Sequence, residues 1–283
     1  MIAVTGANGQ LGRLVLEALT TKGASSVRAL VRSPEKAQDL ASSTVSVVEA
    51  DYNKPETLAG ALKGADRLLL ISGSEIGQRI PQHTAVIEAA KTAGVKLIAY
   101  TSLLHADSSQ MALAVEHKAT EEALKASGLA YVLLRNGWYL ENYDSSLAAG
   151  LQHGAITGAA GDGKIAAASR KDYADAAAAV LVDPDSSSRI YELAGSPAFT
   201  MSELAASLSE ASGKEIPYTN MAKDDYAKML LQAGLPEGFA NIISDSAANA
   251  AKGSLYGSSE DLEKLIGRKS LSYQDYVRAF VAH

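Results

Sequence analysis

The stretch "VTGANGQLG", Val4 to Gly12, decides how the rest of this chain is read. Gly6, Gly9 and Gly12 recur three apart, between the apolar run "IAV" and the helical pattern "QLGRLVLEALTTKG". In a strand-to-helix turn of this kind the first glycine makes the bend. The second lets backbone approach a pyrophosphate, and the third lets helix and strand pack closely. The N–H groups of the helix start then point at the phosphates. Glycine spacing alone is common in loops; its place at the head of a β-α-β unit gives it meaning. The turn is read as a dinucleotide site.

Outward from that turn, short apolar runs alternate with helical stretches. The runs are "IAVTG" (2–6), "VRALVR" (27–32), "VSVVEAD" (45–51), "RLLLIS" (67–72), "KLIAYTS" (96–102), "AYVLLRN" (130–136) and "IYELAG" (190–195). Most are apolar throughout, as in strands covered on both faces. "QHTAVIEAAKTAG" and "VEHKATEEALKASG" read as helices ended by glycine. The fold class expected is α/β, a Rossmann-type doubly wound parallel sheet over residues 1–195. Residues 196–283 read as a smaller, mostly helical substrate lobe, with 137–165 contributing to the cleft. In that lobe Thr200 and Glu203 have the spacing of a capping pair, Gly213 ends the same helix, and "KEIPYT" is an edge strand.

Composition bounds the function. In 283 residues, 47% hydrophobic and 20% charged, there is enough for a substantial core. A net charge of −6 speaks against a nucleic-acid or polybasic membrane surface. The absence of cysteine excludes disulfides and thiolate metal sites and fits a reducing compartment. With no apolar run near the roughly 20 residues of a membrane span and no secretion signal, a cytoplasmic protein is expected. The five histidines show no i,i+4 pair, so no metal site is expected. The sequence assigns no oligomeric state.

The end of the second strand separates NADP from NAD. An NAD site usually places Asp or Glu there, about 20 residues past the glycines, to bond the ribose 2′-hydroxyl. Arg32 occupies that point here, in "VRSPEK", and a guanidinium can fork onto a 2′-phosphate. NADPH is therefore the expected cofactor, with NADH weaker. Arg28 and Lys36 read as solvated charges nearby.

"TGANGQLG", "LVRSPEKA", "ADYNKPETL", "HTAVIEAAKTAGVKLIAYTS", "LLRNGWYLENY" and "GDGKIAAASRKDYADAAAAVL" together resemble the NmrA-like branch of the atypical short-chain dehydrogenases/reductases. The likeness runs over essentially the whole chain. It is strongest to the branch's bacterial NAD(P)H:quinone oxidoreductases, with its triphenylmethane-dye reductases near. The resemblance implies that Gly6, Ala7, Asn8, Gly9, Gln10 and Leu11 carry the pyrophosphate and that Arg32 takes the 2′-phosphate. It implies that Asp51 and Tyr52 lie at the adenine edge, and Ser72, Gly73 and Ser74 near the nicotinamide ribose. Asn136 follows the sixth strand beside the nicotinamide. Gly137, Trp138, Tyr139, Leu140, Glu141, Asn142 and Tyr143 are expected to line the acceptor pocket, with Arg170 approaching the site. The aromatic rings of that segment suit a flat acceptor.

Many short-chain dehydrogenases use Tyr-x-x-x-Lys as their proton donor, yet none of the twelve tyrosines here has a lysine four residues on. That weakens alcohol–ketone chemistry, which needs a positioned acid. His117, in "VEHKATEEAL", falls where related ether and isoflavone reductases have a lysine, and is the candidate proton donor or hydrogen-bonding group. Its alternative role is to orient ribose or pack under the sheet. Ser102 is a second candidate; a strand-end serine is otherwise a cap or turn residue. A quinone needs little acid help. The expected activity is thus NADPH-dependent hydride transfer to a quinone or similar planar conjugated acceptor, with no flavin, since no second nucleotide turn is present. The alternatives are a non-enzymatic NADP(H)-binding redox sensor of NmrA type and a reductase of triphenylmethane-like dyes.

Overall fold

A computed structural model describes residues 1–282; His283, the last residue of the helical pattern "SYQDYVRAFVAH", lies outside the described residues. In chain order the elements are β1 (Ile2–Val4), α1 (Gln10–Thr21), β2 (Val27–Val31), β3 (Val45–Glu49), α2 (Pro55–Leu62), β4 (Arg67–Leu70), α3 (Arg79–Ala93), β5 (Leu97–Leu103), α4 (Ala114–Ala126) and β6 (Ala130–Asn136). There follow α5 (Asp144–His153), β7 (Ile156–Gly158), α6 (Arg170–Val182), β8 (Arg189–Leu193), α7 (Met201–Ser212), β9 (Tyr218–Asn220), α8 (Lys223–Gln232), α9 (Glu237–Ala250), α10 (Glu260–Ile266) and α11 (Tyr273–Ala282).

All seven strands expected from the apolar runs enter one sheet, in the order β3-β2-β1-β4-β5-β6-β8, with every pairing parallel. Residue alternation fills both faces. Val27, Ala29, Val31, Leu97, Ala99, Val132 and Leu134 face one layer, where Leu11 and Val15 of α1, Tyr173 and Leu181 of α6, and Leu262 of α10 meet them. Leu30, Ile98, Tyr100 and Leu133 face the other, against Leu58 of α2, Val86 of α3 and Leu124 of α4. The β5 strand is buried along its whole length. Full burial of each large apolar side chain contributes about 1.5–3 kcal/mol.

A second core joins Leu103, Leu140, Tyr143 and Leu147 to Ile156, Phe199, Leu204, Leu208 and Val277. It draws on residues both before and after 196, while α10, within 196–283, packs on the sheet through Leu262. Thr200 and Glu203 form a reciprocal cap: Thr200 N–H donates to Glu203 at 2.7 Å and Glu203 N–H to Thr200 Oγ1 at 3.1 Å. Gly94 and Gly213 end α3 and α7 in the left-handed conformation. The edge strand in "KEIPYT" is corrected in extent, and the structure supplies its partner. It is β9, starting only at Tyr218, and it pairs with β7 rather than with the main sheet. Pro217 has no N–H to give; its carbonyl accepts from Ile156 N–H at 3.0 Å, and the ladder begins beyond it. No helix among the described residues is long and apolar enough to cross a membrane.

Candidate functional site

The strand ends on either side of β1, where the order of connections reverses, open a groove of about 740 Å³. This is where open α/β sheets take ligands. Its floor is the glycine turn. Gly6 adopts a φ of +59°, a conformation side chains resist. A Cβ on Gly12 would lie 2.4 Å from the Gly6 carbonyl oxygen and 2.7 Å from Ala7 Cα, so only glycine lets α1 approach the turn this closely. Gly9 caps α1 and supplies no side-chain bond to its first N–H groups. Those donors are left for a ligand. Asn8, Gln10 and Leu11 line the groove with the glycines, whereas Ala7 is fully buried beneath them.

Arg32, Ser33 and Lys36, past β2, form one wall and Asp51, Tyr52 and Asn53, past β3, the next. Arg32 is mostly exposed, at 70%, and its guanidinium lies 3.3 Å from Glu75. Arg28 is not near it: its guanidinium donates to the Ala61 and Lys63 carbonyls, a structural role in place of a solvated charge. Asp51 accepts the Asn53 N–H at 3.0 Å and shapes the strand-end turn. The Tyr52 hydroxyl lies 2.5 Å from Thr5 Oγ1 and 2.7 Å from the Ile71 carbonyl, lacing three strand ends together. Burial pushes that phenol well above its usual range.

Ser72, Gly73 and Ser74 form the third wall. Ser72 N–H donates to Thr101 at 2.9 Å. Gly73 is clamped at both ends: its N–H donates to His83 Nε2 at 3.0 Å, and its carbonyl accepts from Arg79 Nε at 2.6 Å. Arg79 pairs with Glu116 of α4 at 2.8 Å, and both are nearly buried. The other nitrogen of His83 meets Thr120 Oγ1 at 2.9 Å, and Thr120 donates to the Glu116 carbonyl. That chain fixes His83 as the neutral tautomer with Nε2 free to accept. Burial, then the Arg79 cation, lowers its pKa to about 4. Sequence reading assigned His83 no role beyond its helix and did not single out Arg79, Gln82 or Glu75. The signal was present in "SGSEIGQRIPQH": polar residues follow a strand end, and Arg79 and His83 stand one helical turn apart.

His117 and Ser102, the candidate catalytic residues, are both buried and engaged by neighbouring side chains. His117 is buried, its Nδ1 2.8 Å from the Tyr100 hydroxyl. Burial, then Arg79, lowers its pKa to about 3, so it holds no imidazolium proton at neutral pH. The Ser102 hydroxyl donates to Glu121 at 2.6 Å, and Glu121 is bound from the other side by Arg135 of β6 at 2.7 Å. Both are spent holding α4 to the sheet.

The segment after β6 divides. Gly137 is wedged, since a Cβ would lie 3.0 Å from the Tyr173 hydroxyl and 3.1 Å from the Leu193 carbonyl. Leu140 and Tyr143 enter the second core, with Trp138 against it. Glu141 accepts the Arg170 N–H at 2.9 Å, and Asn142 accepts from the Arg170 guanidinium at 3.5 Å. Arg170 stands 5.3 Å over the Tyr139 ring, whose hydroxyl accepts from Asn136 Nδ2 at 3.2 Å. Asn136 Oδ1 is buried without a hydrogen-bond partner. Among the described residues the groove is lined from Gly6 to Gln82, so Asn136–Tyr143 and Arg170 stand outside its lining.

A family described as NAD(P)H-binding matches residues 6–184. The chain belongs to the NmrA-like NAD(P)H-binding family. It is 52% identical over 278 residues to quinone oxidoreductase 2 of Escherichia coli (strain K12), covering 98% of this chain and 97% of that protein. The crystal structure of the NADPH-dependent quinone oxidoreductase from Escherichia coli, complexed with NADPH, superposes with a TM-score of 0.96 at 51% identity, over 99% of both chains. The Citrobacter sp. triphenylmethane reductase complexed with NADP(H) gives 0.94 at 39% identity, over 99% of this chain and 100% of that one.

Proposed function

We propose that this protein is an NADPH-dependent oxidoreductase that reduces a quinone, or a similar planar conjugated acceptor, without flavin. The observation that carries the reading is the 52% identity to the Escherichia coli quinone oxidoreductase over 98% of the chain. The site's own chemistry agrees with it. The uncapped start of α1 and the exposed Arg32 past β2 give two anion positions on separate walls of one groove, as a phosphorylated dinucleotide requires. Asp51 and Tyr52 bound the adenine end, and Ser72–Ser74 the nicotinamide ribose.

When bound, NADPH supplies the hydride from nicotinamide C4. The chain's part is to hold that end still. His83 and Arg79 fix Gly73, and Asn136 Oδ1 awaits a donor such as a carboxamide N–H. Tyr139 and Trp138, with Glu141–Asn142, border the acceptor in the cleft formed by 137–165 and the lobe 196–283. Reduction of a quinone is driven by aromatisation, and its phenolate-like oxygen takes a proton from water. Positioning alone is worth on the order of 7–11 kcal/mol in well-oriented reactions. A cytoplasmic location is part of this reading, and the cysteine-free composition fits a reducing compartment.

The test is NADPH oxidation by the purified, flavin-free protein with benzoquinones. Turnover above the uncatalysed rate is expected; bound NADPH without turnover removes the reading in favour of the sensor. A second acceptor class, triphenylmethane-like dyes, is favoured by the 39% identity to the Citrobacter reductase and is tested in the same cuvette.

A further inference from the structure

The Arg32 guanidinium faces a carboxylate from a different crossover. Glu75, in the connection between β4 and α3, brings Oε1 to 3.3 Å from Arg32 at the end of β2. The carboxylate is held there from behind. Asn53 Nδ2 donates to its Oε2 at 3.1 Å and Gln82 Nε2 at 2.9 Å. Gln82 is itself buried, and its amide also donates to Asn53 Oδ1 at 2.9 Å, so these two donors support one another. All four residues line the groove. The backbone carrying Glu75 is pinned as well, through Gly73 on one side and Arg79 on the other.

This arrangement has a chemical consequence for the phosphorylated cofactor, one that rests on Arg32 as the 2′-phosphate ligand. A dianionic phosphate and the Glu75 carboxylate seek the same guanidinium. For the phosphate to take both of its fork positions, Glu75 must give up its contact with Arg32, and the two anions then repel at short range. A ribose 2′-hydroxyl has no such conflict. It donates to a carboxylate, the part that Asp or Glu at the end of the second strand plays in NAD-binding folds. The non-phosphorylated cofactor therefore loses nothing to Glu75.

We propose that Glu75 is a specificity-determining residue, a carboxylate that opposes the 2′-phosphate at Arg32 and narrows the preference for NADPH over NADH. Replacing it by a neutral isostere removes the competitor and leaves Asn53 and Gln82 in place. Exposed or half-exposed ion pairs of this kind are worth a few-fold in binding.

The experiment is calorimetric titration of the full-length protein with adenosine 2′,5′-bisphosphate and with AMP, for the unmodified chain, Glu75→Gln, Glu75→Ala and Arg32→Ala. Both Glu75 variants are expected to bind the bisphosphate about fivefold more tightly while AMP changes less than twofold. Arg32→Ala is expected to weaken the bisphosphate selectively. If Arg32→Ala does this and neither Glu75 variant tightens the bisphosphate, the Glu75 proposal is wrong while the Arg32 reading stands. If Arg32→Ala affects both probes alike, the Arg32 reading fails first and takes this inference with it.

Discussion

Alanine at Gly12 and at Gly9 separates the two jobs of the first turn. At Gly12 the added Cβ would meet three backbone atoms, at 2.4, 2.7 and 2.9 Å. Backbone cannot rotate aside, so α1 must back away from the turn. That helix buries Leu11, Val15, Leu16 and Leu19, so retreat disturbs the core on that face of the sheet. Overpacking of this sort costs about 1–3 kcal/mol, and the better helix propensity of alanine returns at most about 1 kcal/mol. Because the blocked atoms are backbone, the upper half of that range applies, and a net loss of about 1–2 kcal/mol lowers Tm by roughly 2–4 °C in a chain of this size. At Gly9 the added Cβ has one neighbour, the Gly6 carbonyl at 3.2 Å, and the backbone φ of −74° suits any residue. Stability should fall by under about 1 kcal/mol, the cost of a poorer helix cap. NADPH should nevertheless bind at least tenfold more weakly, a loss of about 1.4 kcal/mol, because the methyl group stands where pyrophosphate must approach. Thermal unfolding and NADPH titration on both variants read the two effects apart. Unchanged NADPH affinity in Gly9→Ala would refute the turn as the pyrophosphate cradle, and an unchanged Tm in Gly12→Ala would refute the packing argument.

Arg32→Ala should raise the Michaelis constant for NADPH by about 10- to 100-fold, the range of a lost charge-assisted contact, and that for NADH by less than about threefold. Equal rises for the two cofactors would show that the guanidinium does not read the 2′-phosphate. His117→Ala should lower kcat by less than about fivefold while lowering Tm. A hundredfold fall in kcat, about 2.7 kcal/mol, with NADPH binding intact would restore His117 as the acid. Burial, reinforced by Arg79, lowers the pKa values of His83 and His117 to about 4 and about 3. Below pH 6.5 the unfolded chain therefore binds more protons than the folded one. Stability is full above pH 6.5 and declines on acidification, by about 2 kcal/mol per histidine at pH 5. Urea midpoints at pH 7.5 and 5 measure this, and a pH effect undiminished in His83→Gln/His117→Gln would assign it to other groups.

The sheet was legible because its strands are covered on both faces: a run such as "KLIAYTS" has no other reading between two helical patterns. The small pair β7–β9 was not, because three residues carry no period and its pairing joins positions some sixty residues apart. At the site, the glycine turn and Arg32 were legible because chain order places both at strand ends. Glu75, Gln82 and Asn53 were not, because they meet only when two separate crossovers converge on one groove. His117 was visible as a residue, with packing under the sheet only one of its two readings. The pattern that would have shown it is His117, Thr120, Glu121 and Leu124, a single helix face that packs on the sheet.

The state of the hydroxyls around the site explains which acceptors suit it. Tyr100 is engaged with His117, Tyr52 with Thr5 and Ile71, Ser102 with Glu121, and Tyr173 with the Trp138 carbonyl. Burial raises the phenol pKa of Tyr52, Tyr100, Tyr139 and Tyr173 alike. A phenol becomes a useful acid near neutrality only when a cation pulls its pKa down. Arg170 stands 5.3 Å over Tyr139 and acts in that direction, yet desolvation outweighs it. A ketone would leave an alkoxide, a strong base, and the hydroxyls named here are already committed to partners within the fold. A quinone leaves a phenolate, whose conjugate acid is many orders of magnitude stronger and whose charge is delocalised into the new aromatic ring. The missing acid therefore selects the substrate class: this site reduces acceptors whose product anion survives until water reaches it.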